Sequence, residues 1–386
     1  MRSHDGLKAM VLAAGVGSRL DPLTRQLPKP VVPFANRPVM EHIVRLLKHH
    51  GITQTVSNVN YLPHKVTSYF GDGSDFGMDM KFVREQSLSG DAGGVRACRE
   101  YLGKERFLVV MGDLITDMDL SYVINQHIEK GAFATIALKQ VVDVERFGVV
   151  VLNKDSLITG FQEKPTRDEA KSNLASTGIY VFEPEIFEYI GDAAEVGFGK
   201  DVFPRVVADK LPVLGVEVWG YWSDVGTVDQ YMTSTLDALE GLIDMDMPGL
   251  PFEKGWMDAG SSIGSQTLID GVVLMGRDSH ISDGVRVRGY AIIGDNCLIE
   301  HGAEIQDSVI WPGTIIGANS RVVRSVVGSN VFVEKGSSIT HDAIVEPAVS
   351  ESNTLKIPTL GLAEELSASN GLAEIREERE LDADLY

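Results

Sequence analysis

Through the last third of the chain, apolar residues recur every six positions. Counting from Ile263 gives Ile269, Met275, Ile281, Val287, Ile293, Ile299 and Ile305. A one-residue slip precedes Ile316 and Val322, and a second precedes Val327, Val333, Ile339 and Val345. Turn residues follow many of these positions, as in Gly294-Asp295-Asn296, Gly317-Ala318-Asn319 and Gly328-Ser329-Asn330. Self-similarity at this period predicts a hexapeptide β-helix, where each apolar residue stacks on its equivalent one coil away.

The earlier part of the chain follows another rule. From residue 8 to about 240 it alternates short apolar strands with amphipathic helices. Ala9 to Ala14 reads as a buried strand ending in the turn Gly15-Val16-Gly17, and Phe107 to Met111 as another, stopping at Gly112. Val39 to His50 reads as a helix, with Val39, Ile43, Leu46 and Leu47 at helical spacing and Gly51 ending it. Strand, helix, strand in repetition predicts an α/β fold, a parallel or mixed sheet covered on both faces. Ligands in such folds sit at the carboxyl ends of the strands. The expected division is residues 8–241, a Pro/Gly-bearing linker 242–255, the repeats 256–349 and an acidic tail 350–386. That tail reads as a solvated end, with a short helix near Leu362 to Glu380 as the alternative.

Charge and cysteine usage narrow the function classes. A net charge of -20 argues against a nucleic-acid binder, which needs a basic field. Cys98 and Cys297 stand far apart without metal-ligand spacing and read as free thiols. No run approaches the roughly 20 apolar residues needed to span a bilayer. A cytoplasmic location is therefore expected.

The chemistry gathers around the glycine turn. A glycine-rich loop after a first strand exposes backbone N–H groups that can hold a phosphate chain. A dinucleotide fingerprint would place a third glycine where this chain has Leu20. Arg19 and Lys29 instead bring two cations to the loop, which suits a triphosphate whose pyrophosphate must leave. Asp113 follows a strand directly, where an acid is either functional or a helix cap.

The run Gly15-Val16-Gly17-Ser18-Arg19-Leu20-Asp21-Pro22-Leu23-Thr24, with Pro28-Lys29-Pro30, resembles the signature of the sugar-1-phosphate nucleotidyltransferases. The likeness runs over about residues 8 to 345, and a β-helix is a usual C-terminal partner in several branches. It implies a Rossmann-like mixed-sheet nucleotidyltransferase domain followed by a left-handed parallel β-helix. It also implies transfer of a nucleotidyl group from a nucleoside triphosphate to a sugar 1-phosphate. By that likeness Leu12, Ala13, Ala14, Gly15, Gly17, Ser18 and Arg19 bind the nucleotide, and Arg19, Lys29, Asp113 and Lys164 carry catalysis. Asp113 and Asp224, the latter in Tyr221-Trp222-Ser223-Asp224-Val225-Gly226-Thr227, would hold Mg²⁺. Mg²⁺ typically takes one or two carboxylates plus substrate phosphates, so an Asp pair suffices.

Phe161-Gln162-Glu163-Lys164-Pro165, Ser176-Thr177-Gly178 and Phe147-Gly148 resemble the family's sugar-site segments. These make Gly148, Glu163, Lys164, Thr177 and Gly178 the sugar-phosphate residues. The base loop, which in the family often reads Gly-Thr-Ala-Gly, stands here as Glu85-Gln86-Ser87-Leu88-Ser89-Gly90-Asp91-Ala92-Gly93-Gly94. Gly90 keeps the shape, Asp91 replaces the usual Thr, and Glu85 or Gln86 is the candidate reader of the base edge. Arg37 to Ile43 and Phe70 to Gly77 look most similar to the mannose-1-phosphate guanylyltransferase branch. GTP and mannose 1-phosphate are thus the expected pair, with UTP or dTTP and glucose 1-phosphate the alternative. Two further readings are a bifunctional acyltransferase, with His280, His301 or His341 as base, and a non-catalytic regulatory subunit. The β-helix is expected to serve homo-oligomer contacts, with neither nucleic acid nor membrane as a partner.

Overall fold

The computed structural model describes residues 6–345 and 348–349, so the acidic tail lies outside the described residues. β1 (Lys8–Leu12) sits at the centre of a mixed sheet. It pairs in parallel with β2 (Gln54–Val59) and with β4 (Phe107–Met111), and β2 pairs in parallel with β3 (Asp79–Arg84). On the other side, β8 (Leu174–Phe182) runs antiparallel to β4 and carries β5 (Ala134–Gln140) and β6 (Gly148–Leu152). The hairpin partner of β6 is β7 (Ile158–Glu163), and β9 (Val213–Glu217) pairs with β5.

The apolar run of β1 explains its place. Ala9 and Val11 face one side, packing with Ile43, Val44 and Leu47 of α1 (Val39–His49). Met10 faces the other side, packing with Ala92 and Val95 of α2 (Gly90–Ala97). A strand covered on both faces has no polar face to present, so it reads as one continuous apolar run. The Gly112 N–H donates to the Leu12 carbonyl at 2.8 Å, so β1 and β4 end together. The glycine turn and Asp113 therefore leave the sheet side by side. No helix among the described residues is long and apolar enough to cross a membrane.

The repeats form parallel ladders. Ile269 pairs with Val287, Ile305, Val322 and Ile339 in turn, and Ile263 begins a second column through Ile281, Ile299, Ile316 and Val333. A third column runs Met275, Ile293, Ile310, Val327 and Ile344. These residues share one buried interior. The sequence count is thus corrected at its end, because Ile344, not Val345, stacks on Val327. Val345 belongs to a different core, facing the first part of the chain.

That second core joins the two parts of the protein. Leu274, Tyr290, Ile292, Val309, Trp311 and Val326 pack against Leu20, Leu23, Val32, Phe34 and Tyr231. Tyr231 stands on α5 (Val228–Leu239), which follows the Asp224 motif; α3 (Leu120–Lys130) and α4 (Phe203–Ala208) lie earlier in the chain. Polar ties cross the same junction. Asn36 donates to the Ile293 carbonyl at 2.9 Å, and Gln26 to the Val345 carbonyl at 3.2 Å.

One buried histidine gives the fold a pH dependence. His127 on α3 is fully buried, 2.8 Å from the Thr135 hydroxyl and 3.2 Å from the Glu183 carboxylate. Burial pulls it down to about 4 despite Glu183. Below pH 6.5 the unfolded chain therefore takes the proton before the folded one does. Stability is untouched above pH 6.5 and is lost progressively as the pH falls to about 4, by up to about 3 kcal/mol. Urea midpoints at pH 7.5 and 5.0 should fall more for the native protein than for His127→Gln. Equal losses would refute the assignment.

Candidate functional site

The segment that carries Lys29 is held from both sides. Proline at positions 28 and 30 fixes φ around a single helical turn, Lys29–Val31. Gly17 approaches so closely that a Cβ there would lie 2.9 Å from the Lys29 Cβ, and its φ of 72° is one that glycine adopts freely. Thr24 locks the contact by donating to the Gly17 carbonyl at 3.0 Å. Lys29 is buried, and its ammonium donates to Asp113 Oδ2 at 2.7 Å and to the Asp224 carbonyl at 2.6 Å. One lysine thus joins the glycine turn, the end of β4 and the Asp224 loop.

Above this junction lies a cavity of about 260 Å³. Among the sequence-predicted residues it brings together Arg19, Asp113, Gly148, Glu163, Thr177, Gly178 and Asp224. Arg19 reaches Asp224 Oδ2 at 3.5 Å. Gly148 and Glu163 face each other across β6 and β7, and a Cβ on Gly148 would come 3.0 Å from Glu163 Oε2. Thr177 spends its hydroxyl on the Ala137 carbonyl at 2.8 Å, while its own carbonyl accepts from the Trp222 indole at 2.9 Å. It shapes the wall, and its hydroxyl is taken.

Other expectations are placed differently. Lys164 is not among the lining residues; its side chain is 62% exposed and lies 3.7 Å from Glu163. Leu12, Ala13, Ala14, Gly15, Gly17 and Ser18 are not among the lining residues either. Glu85, expected as a reader of the base edge, stands in the structure as a strut outside the cavity lining. It is buried, with one carboxylate oxygen accepting from Asn58 and the other from Ser89. Asn58 in turn accepts from the Ala13 N–H at 2.9 Å, so Glu85 braces the end of β1. Gln86 is exposed, and Gly90 abuts the Val196 carbonyl, where a Cβ would fall 2.3 Å from the oxygen.

Sequence reasoning missed Arg146 as a site residue. It ends a short turn, Val144–Arg146, before β6, and its guanidinium lies 3.5 Å from Asp224 Oδ1. The only signal was a basic residue next to Phe147-Gly148. Arg146, Phe147, Trp222 and Asp224 also line a neighbouring cleft of about 430 Å³, so the cavity continues into a larger space.

The donor set fits a hard divalent cation. Asp224 Oδ1 is buried and makes no hydrogen bond, although Arg146 stands in ion-pair range at 3.5 Å, and Asp113 brings a second carboxylate to the same cavity. No group of three or more His, Cys, Asp or Glu side chains with metal-holding geometry occurs among the described residues. Two carboxylates suit a hard divalent cation whose shell is completed by ligand phosphates rather than by an all-protein cage.

Known proteins resemble this chain over most of its length. A nucleotidyl transferase family profile matches residues 8–241, and a GMPPB C-terminal domain profile matches residues 269–359. The chain is 36% identical to a UTP–glucose-1-phosphate uridylyltransferase of Synechocystis, over 85% of this chain and 89% of that one. It is 29% identical to a mannose-1-phosphate guanylyltransferase of Mycobacterium tuberculosis, over 79% and 84%. Among solved structures, a protein described as a glucose-1-phosphate thymidylyltransferase, from Bacillus anthracis, superposes with a TM-score of 0.56. The two are 27% identical over 62% of this chain and 96% of that one. The two profiles, the relatives that match 79–85% of the chain and the converging carboxylates and cations lead to one assignment: this chain belongs to the nucleotidyl transferase family and is a sugar-1-phosphate nucleotidyltransferase.

Proposed function

We propose that the protein joins GTP and mannose 1-phosphate to give GDP-mannose and pyrophosphate, with Mg²⁺ on Asp113 and Asp224. The observation that carries the chemistry is the single cavity where Arg19, Arg146, Asp113 and Asp224 converge over the buried Lys29. A phosphate monoester is already nucleophilic at neutral pH, so positioning and charge neutralisation suffice. Arg19 and the glycine turn hold the triphosphate, Lys29 steadies the two aspartates, and Arg146, beside the other oxygen of Asp224, adds a second cation for the phosphates. Lys164 serves the sugar phosphate from the rim, turning away from Glu163 to do so. Mg²⁺, when bound, neutralises phosphate charge that the protein's own cations leave uncompensated.

The 29% identity to the Mycobacterium tuberculosis mannose-1-phosphate guanylyltransferase supports the guanylyl and mannosyl reading. A second pair, UTP and glucose 1-phosphate, is favoured by the 36% identity to the Synechocystis enzyme. The division into a catalytic domain, residues 8–241, and a left-handed β-helix, residues 256–349, belongs to the same proposal. So do a cytoplasmic location and a homo-oligomer through the β-helix, where Leu268 and Phe332 stand exposed on the coils.

The test is pyrophosphate release with Mg²⁺ across four triphosphates crossed with mannose, glucose and N-acetylglucosamine 1-phosphates. Preference for GTP with mannose 1-phosphate by about tenfold or more in kcat/KM is expected. Preference for UTP with glucose 1-phosphate would establish the second pair, and release with none would overturn both.

A further inference from the structure

The cavity has two electrostatic characters. Arg19 and Arg146 gather on Asp224, whereas Asp91 and Glu163 bracket the turn Gly197-Phe198-Gly199 away from either arginine's ion pair. Asp91 Oδ1 accepts from the Phe198 N–H at 2.8 Å and from the Ala92 N–H at 2.7 Å. These two bonds fix the rotamer. No protein group among the described residues donates to Oδ2, although Asp91 lines the cavity. Glu163 lies within 3.4 Å of a Cβ built on Gly199, so the two carboxylates share one wall. Tyr180 and Ser176, whose hydroxyls are 3.2 Å apart, line the same cavity. Burial pushes the Asp91 carboxyl above the usual carboxylate range, and the charge on Glu163 adds to the effect.

We infer that Asp91 is a specificity-determining residue of the sugar subsite. With Glu163 it selects a hexose that turns hydroxyl hydrogens to this wall, and it excludes a hexose bearing a second anion. The inference rests on the cavity receiving a sugar 1-phosphate, as proposed above. Acceptors fixed in place reward donors and leave an anion unpaired against like charge. A threonine, which the family's loop often has here, would accept and donate alike without repelling an anion.

Asp91→Asn keeps an oxygen for the Phe198 N–H, and Asp91→Thr restores a neutral hydroxyl. Both are compared with the native enzyme on the preferred hexose 1-phosphate and on glucuronic acid 1-phosphate. In Asp91→Asn, KM for the hexose phosphate should rise about tenfold while KM for the triphosphate stays within about twofold. Discrimination against the glucuronic acid phosphate should shrink at least about tenfold in both variants. Unchanged discrimination, or a rise in the triphosphate KM alone, would overturn the role. A native protein inert with every pair would count against the proposed function instead. Calorimetric binding of the two sugar phosphates to native and Asp91→Asn protein then decides the Asp91 role by the same discrimination ratio. Thermal melting of each variant separates lost binding from lost fold.

Discussion

Asp113→Ala should lower pyrophosphate release by about 10³-fold or more, while Lys29→Met combined with it restores folding stability without restoring turnover. The activity loss follows from removing one of two carboxylates in the cavity that can hold the divalent cation. The stability loss comes from Lys29. Its side chain is only 7% exposed, and Asp113 is its carboxylate partner at 2.7 Å. Breaking a buried pair leaves an uncompensated charge, at a cost of about 3–5 kcal/mol when both groups are fully buried. Asp113 is 34% exposed, which reduces the expected loss to about 2 kcal/mol. The Lys29→Met replacement removes the stranded charge, so the double variant should melt closer to the native protein than Asp113→Ala does. Chemical denaturation and pyrophosphate release, run on the native protein, Asp113→Ala, Lys29→Met and the double variant, read both arms. Turnover surviving in Asp113→Ala would remove Asp113 from the metal site. Melting of the double variant no higher than Asp113→Ala would show that the Lys29 charge is not what destabilises it.

The parts of the site that sequence made legible are those whose backbone demands leave a local trace. Gly17 must be glycine where it meets Lys29, and proline at 28 and 30 sets the turn that carries the lysine, so the motif is written in adjacent residues. The six-residue period is legible for a similar reason: an interior column tolerates only apolar side chains, and Met275, Ile293, Ile310 and Val327 show it. The misplacement of Val345 came from a coil that shortened without a turn signal to mark it. The bracing role of Glu85 was not legible because Asn58, which donates to it, lies 27 positions away on β2, and no spacing rule brings the two together. Arg146 was hidden likewise, since its relation to Asp224 spans 78 positions and depends on the pairing of β6 with its neighbours. Long-range polar contacts are the product of the fold, whereas turns and apolar periods are its instructions.

The junction between the two halves is such a contact, and its disruption should be the costliest to the fold. Trp311, 2% exposed, donates from its indole to the Tyr231 hydroxyl at 3.1 Å, and that hydroxyl donates on to the Pro33 carbonyl at 2.6 Å. Burial pushes the Tyr231 hydroxyl up, so it remains a donor at any working pH. Pro33 opens the hairpin Pro33–Phe34 with Arg37–Pro38, four residues beyond Lys29. Trp311→Ala should cost about 3–5 kcal/mol through lost packing. Tyr231→Phe should cost about 1–3 kcal/mol, because it leaves the indole N–H and the Pro33 carbonyl unpaired with little change in volume. If the junction also fixes the segment that carries Lys29, Tyr231→Phe should lower kcat severalfold at temperatures far below its melting point, with KM for the sugar phosphate unchanged. Full turnover in Tyr231→Phe, together with a lowered melting temperature, would mean that the repeats stabilise the catalytic half without positioning Lys29. A fall in kcat at a temperature where the variant is fully folded would place the repeats within the catalytic apparatus itself, acting through one hydroxyl on the backbone that sets the lysine.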